Sequence, residues 1–101
     1  MPNPTETPSK TVQVRYHQDH SHGWLEVPLS EVIRLGFGPK VSSCSYIRDA
    51  GRANATVFLE EDCDASLYVD AAKADGITVL PIGVHTDHDS FVRYLPPYYT
   101  P

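Results

Sequence analysis

The chain has 101 residues, 41% of them hydrophobic and 21% charged, which is enough for one modest globular core and too little for two. Thirteen acidic against eight scattered basic residues give a net charge of −5. That excludes a phosphate-tracking nucleic-acid binder and favours an acidic surface meeting a basic one. No apolar run nears the roughly 18 residues of a membrane span, and no basic-then-apolar leader opens the chain, so the expected setting is cytoplasmic, with no membrane partner.

Residues 1–10 carry Pro2, Pro4 and Pro8 among polar residues and read as a disordered arm. In Thr11–His17, Val12, Val14 and Tyr16 alternate with Gln13 and Arg15, the pattern of a half-buried strand. Gln18–His22 is polar and turn-like, and Gly23–Val27 is a second short strand ending at Pro28, so the two predict a hairpin. Trp24 is its expected anchor in the core. Leu29, Val32, Ile33 and Leu35 share one helical face, with Gly36 as a left-handed stop.

Strands are expected over 41–48 and 55–59, joined through the turn residues 49–54 as a second hairpin. Cys63, Leu67, Ala71 and Ala74 then recur at helical spacing up to Gly76. Ile77–Val84 resumes β structure, and Pro81 within it marks an edge strand or a bulge. The order β-β-α-β-β-α-β predicts an α+β two-layer domain over 11–95, a mainly antiparallel sheet of about five strands with both helices on one face. Residues 96–101 form a Pro/Tyr-rich tail that cannot be helix or central strand.

Chemistry-bearing residues cluster in three places. Glu60, Glu61, Asp62 and Asp64 open the second helix, where carboxylates in a first turn complement the helix dipole and cap free amides; the same run could serve as a contact surface. All five histidines lie in two segments, 17–22 and 85–89, each with carboxylates. Imidazole with carboxylate binds transition metals and moves protons, but the spacing of His17, His20 and His22 matches no standard zinc site. Surface loops also carry His and Asp because both tolerate turns. Tyr94, Tyr98 and Tyr99 sit among Pro96, Pro97 and Pro101, and either pack on their own domain or anchor a partner.

No nucleophile elbow surrounds Ser42, Ser43 and Ser45, and no glycine loop suits a phosphate. Cys44 and Cys63 could pair, yet without a secretion signal buried structural thiols are the better reading. The helix N-terminus could lower the Cys63 pKa, an effect its acidic neighbours oppose. No cofactor is implied.

His22-Gly-Trp-Leu-Glu-Val-Pro28 with Leu59-Glu-Glu-Asp-Cys-Asp-Ala65 resembles a group of short bacterial and phage proteins with no established activity, along the stretch Tyr16–Tyr98. The resemblance transfers no catalytic residue. It implies a mobile-element setting, a host cytoplasm, and the class of small acidic inhibitors of defence complexes to which anti-CRISPR proteins belong.

The leading expectation is a non-enzymatic binding protein that occupies a basic surface of a larger protein or complex. Glu60, Glu61, Asp62 and Asp64 supply charge and Tyr94, Tyr98 and Tyr99 supply anchors. A second reading is a metal-binding module or metal-dependent hydrolase built from His17, His20, His22, His85 and Asp87. A third is sequestration of a small signalling nucleotide between protomers of a homodimer, with Arg15, Arg48 and Arg93 on its phosphates.

Overall fold

A computed structural model describes residues 9–99. The elements are β1 (Lys10–Gln18), β2 (Gly23–Pro28), α1 (Leu29–Leu35), β3 (Tyr46–Arg48), β4 (Thr56–Glu60), α2 (Ala65–Ala74) and β5 (Ile77–His85), followed by a 3-10 helix at Phe91–Tyr94. This is the α+β order that the periodicities predict. Residues 1–8 of the expected N-terminal arm lie outside the described residues, and Lys10 already belongs to β1.

The sheet runs β3-β4-β2-β1-β5. The hairpins β1 with β2 and β3 with β4, and the contact of β2 with β4, are antiparallel, and β1 with β5 is parallel. Chain direction explains the exception. Two antiparallel steps leave β4 parallel to β1, and the crossover through α2 keeps β5 parallel to β4. β5 is therefore an edge strand, where the missing amide of Pro81 is tolerated.

Alternation divides the sheet into two faces. Val14, Leu25, Val27, Val57 and Leu59 meet Val32 of α1 and Tyr68 and Ala72 of α2 in the main core. The opposite face carries a smaller cluster, Trp24 and Phe58, covered by Val92 and Leu95 from the C-terminal segment. The sequence leaves that segment's packing open. Ile47 N donates to Pro96 O at 2.9 Å and Tyr98 N to Ser45 O at 2.8 Å, so the described part of the tail lies along β3 of its own domain. Thr100 and Pro101 lie outside the described residues.

Two local expectations change. The strand expected over 41–48 is confined to Tyr46–Arg48, because Val41–Ser45 is held in a turned path, Ser45 N donating to Ser42 O. The second helix starts at Ala65, and Asp64 at its N-cap makes no side-chain capping bond. Gly36 ends α1 in the left-handed region, φ 79°, with its amide on the Val32 and Ile33 carbonyls.

Gly23 has a different reason to be glycine. A Cβ there would collide with the hydroxyl end of Tyr16, whose ring packs on the core and whose hydroxyl donates to Glu61. Gly23→Ala is expected to lower stability by about 2 kcal/mol through forced repacking, measured by chemical denaturation.

Candidate binding pole

The C-terminal ends of β1, β4 and β5 and the start of β2 lie at one end of the sheet. Three loops therefore meet there: 19–22, 61–64 and 86–90. Glu61 N donates to Gly23 O at 2.9 Å, Thr86 N to Gln18 O at 3.0 Å, and Ser90 N to Asp19 Oδ2 at 2.9 Å. None of these loops contains a lysine or an arginine. Between them they hold Asp19, Glu61, Asp62, Asp64, Asp87 and Asp89, with Glu60 at the end of β4.

Some of these carboxylates are internal. Asp64 is buried and accepts from Ser42 N, Ser42 Oγ and Ser45 Oγ, at 2.8 and 2.6 Å for the two hydroxyls. Glu60 is buried; its Oε2 accepts from the amides of Asp62 and Cys63, and its Oε1 lies 3.3 Å from His22 Nδ1. The acidic run thus fastens a turn rather than capping α2, and neither Asp64 nor Glu60 is presented to a partner. Glu61, Asp62, Asp87 and Asp89 are exposed.

Asp19 is the hinge pin of the pole. Its side chain is fully enclosed, accepting from the amides of Ser21, His22 and Ser90 and from Nε and Nη2 of Arg93 at 2.6 and 2.9 Å. The Arg93 bonds, opposed by burial and reinforced by the three amides, hold this carboxyl far below the ordinary range. Arg93, whose guanidinium carbon lies 5.4 Å from the Trp24 ring centroid, brings a cation to the pole, and Asp19 neutralises it.

The histidine segments are neighbours, since Gln18 pairs with His85, but the imidazoles do not converge. His17 is buried between the Phe58 and Phe91 rings with Nε2 2.7 Å from Glu26. His85 faces Asp87 at 3.4 Å, and His20 faces Asp89 at 3.9 Å. A shared metal site of His17, His20, His22, His85 and Asp87 is not formed. The groups that do cluster among the described residues are His22 with Glu60, Glu61 and Asp62, and Asp19 with His20 and Asp89. In both, a buried carboxylate is already bound by protein donors. Each arginine has a partner within the chain: Arg15 is 3.7 Å from Glu26, Arg48 lies over the Phe58 ring, and Arg93 is on Asp19.

Of the tyrosines, Tyr94 and Tyr99 are exposed, whereas Tyr98 is half-buried with its hydroxyl 3.3 Å from Gly38 O. The two exposed rings are Tyr94, beside Asp89, and Tyr99.

Both cysteines depart from expectation. They are exposed, because Cys44 belongs to a turn to which strand alternation does not apply, and their Sγ atoms are 2.8 Å apart. Hydrogen bonding to Cys44, with burial and the Glu60 carboxylate adding, pushes the Cys63 thiol up to about 12. The two thiols, His22, Trp24, Glu60 and Arg93 line a cleft of about 290 Å³.

Asp87 and Asp89 as outward charges, and Asp19, Ser42 and Ser45 as internal ties, are what sequence reasoning missed. One signal was available: the three segments of the chain richest in Asp, Glu and His hold no cation. Among the described residues no helix is long and apolar enough to cross a membrane. No protein-family model, curated protein or solved structure matches this chain.

Proposed function

We propose that this is a non-enzymatic binding protein whose acidic pole occupies a basic surface on a larger protein or complex. The observation that carries the reading is the gathering of three cation-free loops with Glu61, Asp62, Asp87 and Asp89 exposed and Arg93 neutralised from within. Like charges held together at one end repel each other, and a cationic partner relieves that repulsion. Exposed Tyr94 adds an aromatic anchor at the rim. Surfaces that bind nucleic-acid phosphates carry the required clustered Lys and Arg, which is where the resemblance to mobile-element proteins would also direct the search.

The test is capture of partners from the native host at low and high salt, with wild type and a Glu61→Lys/Asp62→Lys/Asp87→Lys/Asp89→Lys variant. Reversing four rim charges should weaken binding by about 2 kcal/mol, roughly 30-fold, mostly by slowing association. Wild-type capture should fall as salt shortens the range of the field. A partner held equally by the variant at high salt removes the electrostatic reading.

A further inference from the structure

The Cys44–Cys63 pair is unused by the acidic pole, and it sits on a scaffold that holds it ready. Cys44 lies in the 42–45 turn and Cys63 in the turn after β4. Asp64 binds the first turn to the second through Ser42 N, Ser42 Oγ and Ser45 Oγ, while Ser45 Oγ accepts from Glu60 N at 3.0 Å. The backbone on both sides is therefore fixed by bonds that do not involve sulfur. Across this seam the sulfurs stand 2.8 Å apart, inside ordinary non-bonded contact for two sulfur atoms, and both residues are open to solvent.

We infer that Cys44 and Cys63 are an oxidation site, a dithiol that closes to an intramolecular disulfide by exchange with low-molecular-weight disulfides of the oxidised-glutathione class. Cys44 Sγ attacks one sulfur of the small disulfide, forming a mixed disulfide and releasing one small thiol. Cys63 Sγ then attacks Cys44 Sγ and releases the second. Two S–H bonds are lost, one protein S–S bond forms, and the S–S bond of the reagent is cleaved to two thiols that carry off both protons and both electrons. Cys63 donates its hydrogen to Cys44, which leaves Cys44 as the sulfur free to open the exchange.

Closure ties the 42–45 turn to the turn that carries Glu61 and Asp62, and it lines the cleft beside Trp24 with a disulfide. The chemistry does not depend on what the acidic pole binds, so capture experiments and thiol experiments fail independently.

The experiment incubates the full chain, stripped of metal by a chelator, with oxidised glutathione. Expected results are a mass loss of about 2 Da with no retained glutathione, disappearance of both iodoacetamide-reactive thiols, and a melting temperature higher by about 10 °C for a bridge across a loop of this size. Trp24 is the chain's single tryptophan, so its fluorescence should be quenched as the bond forms and recover with dithiothreitol. Cys63→Ser should stop at a stable glutathione adduct on Cys44. Asp64→Asn, which loosens the seam without touching sulfur, should slow closure relative to the first adduct. Two free thiols, or a glutathione on each cysteine, overturns the inference; so does protection that comes only from a bound metal and vanishes with the chelator.

Discussion

Asp19→Ala is expected to cost about 3 kcal/mol, because it leaves the Arg93 guanidinium and three amides facing a site from which water is excluded. In a domain this small the melting temperature should fall by more than about 10 °C. The carboxyl's ordinary value is 3.8 and the folded protein holds it well below that, so the unfolded chain takes up the proton first. The contribution is fully present above about pH 5 and drains away as pH falls towards the folded value. Asp19→Asn should therefore lose stability at neutral pH and show a flatter acid limb than wild type. Arg93→Met should cost a similar amount, and the double variant less than the sum of the singles, since each removes the same pair. Equal acid limbs in wild type and Asp19→Asn, measured by denaturation across the acid range, would show that Asp19 does not carry this pH dependence.

Asp19 marks where local signals in the sequence end. Alternation in Val12-x-Val14-x-Tyr16 and helical spacing in Leu67, Ala71 and Ala74 are local signals, and the elements they predict are present. The edge position of β5 also follows locally, from Pro81. Asp19, by contrast, looks like one more polar residue in a turn. Its partners Ser90 and Arg93 are 71 and 74 positions away, and no local pattern reports them. The same holds for Asp64. Its position before a helix predicts a cap, but Ser42 and Ser45, some twenty residues earlier, supply closer donors than the helix does.

The histidines fail as a cluster for a related reason. In β1, His17 falls on the face opposite Val14, with Gln13 and Arg15, where alternation predicts solvent. The C-terminal segment covers that face near the pole and buries His17 against Phe91. A proline-rich stretch carries no periodicity that would announce such a cover. The pole itself was legible only as composition: three cation-free segments in the sequence become one surface once β1, β4 and β5 end together.

Phe58→Ala tests whether that cover is what orders the pole. Phe58 is fully buried on the sheet face away from the helices, contacting His17, Phe91 and the Arg48 guanidinium. Deleting the ring should cost about 4 kcal/mol, the range for a large aromatic in a close-packed site. Leu59→Ala, its immediate neighbour, removes a fully buried side chain from the helix-side core and should cost about 3 kcal/mol. The two losses are similar in size but should differ in place. Without Phe58, the small cluster of Trp24, Phe58 and Val92 loses one of its three buried members, and residues 90–98 lose their seat. Arg93 then leaves Asp19, and the 19–22 and 86–90 loops are no longer tied. Amide exchange of Val92, Arg93 and Leu95 should rise by about a hundredfold in Phe58→Ala and stay near wild type in Leu59→Ala under native conditions. Salt-sensitive capture of partners should fall in Phe58→Ala alone. If both variants keep residues 90–98 protected, the cover is held by the Asp19–Arg93 lock and not by the aromatic cluster beneath it.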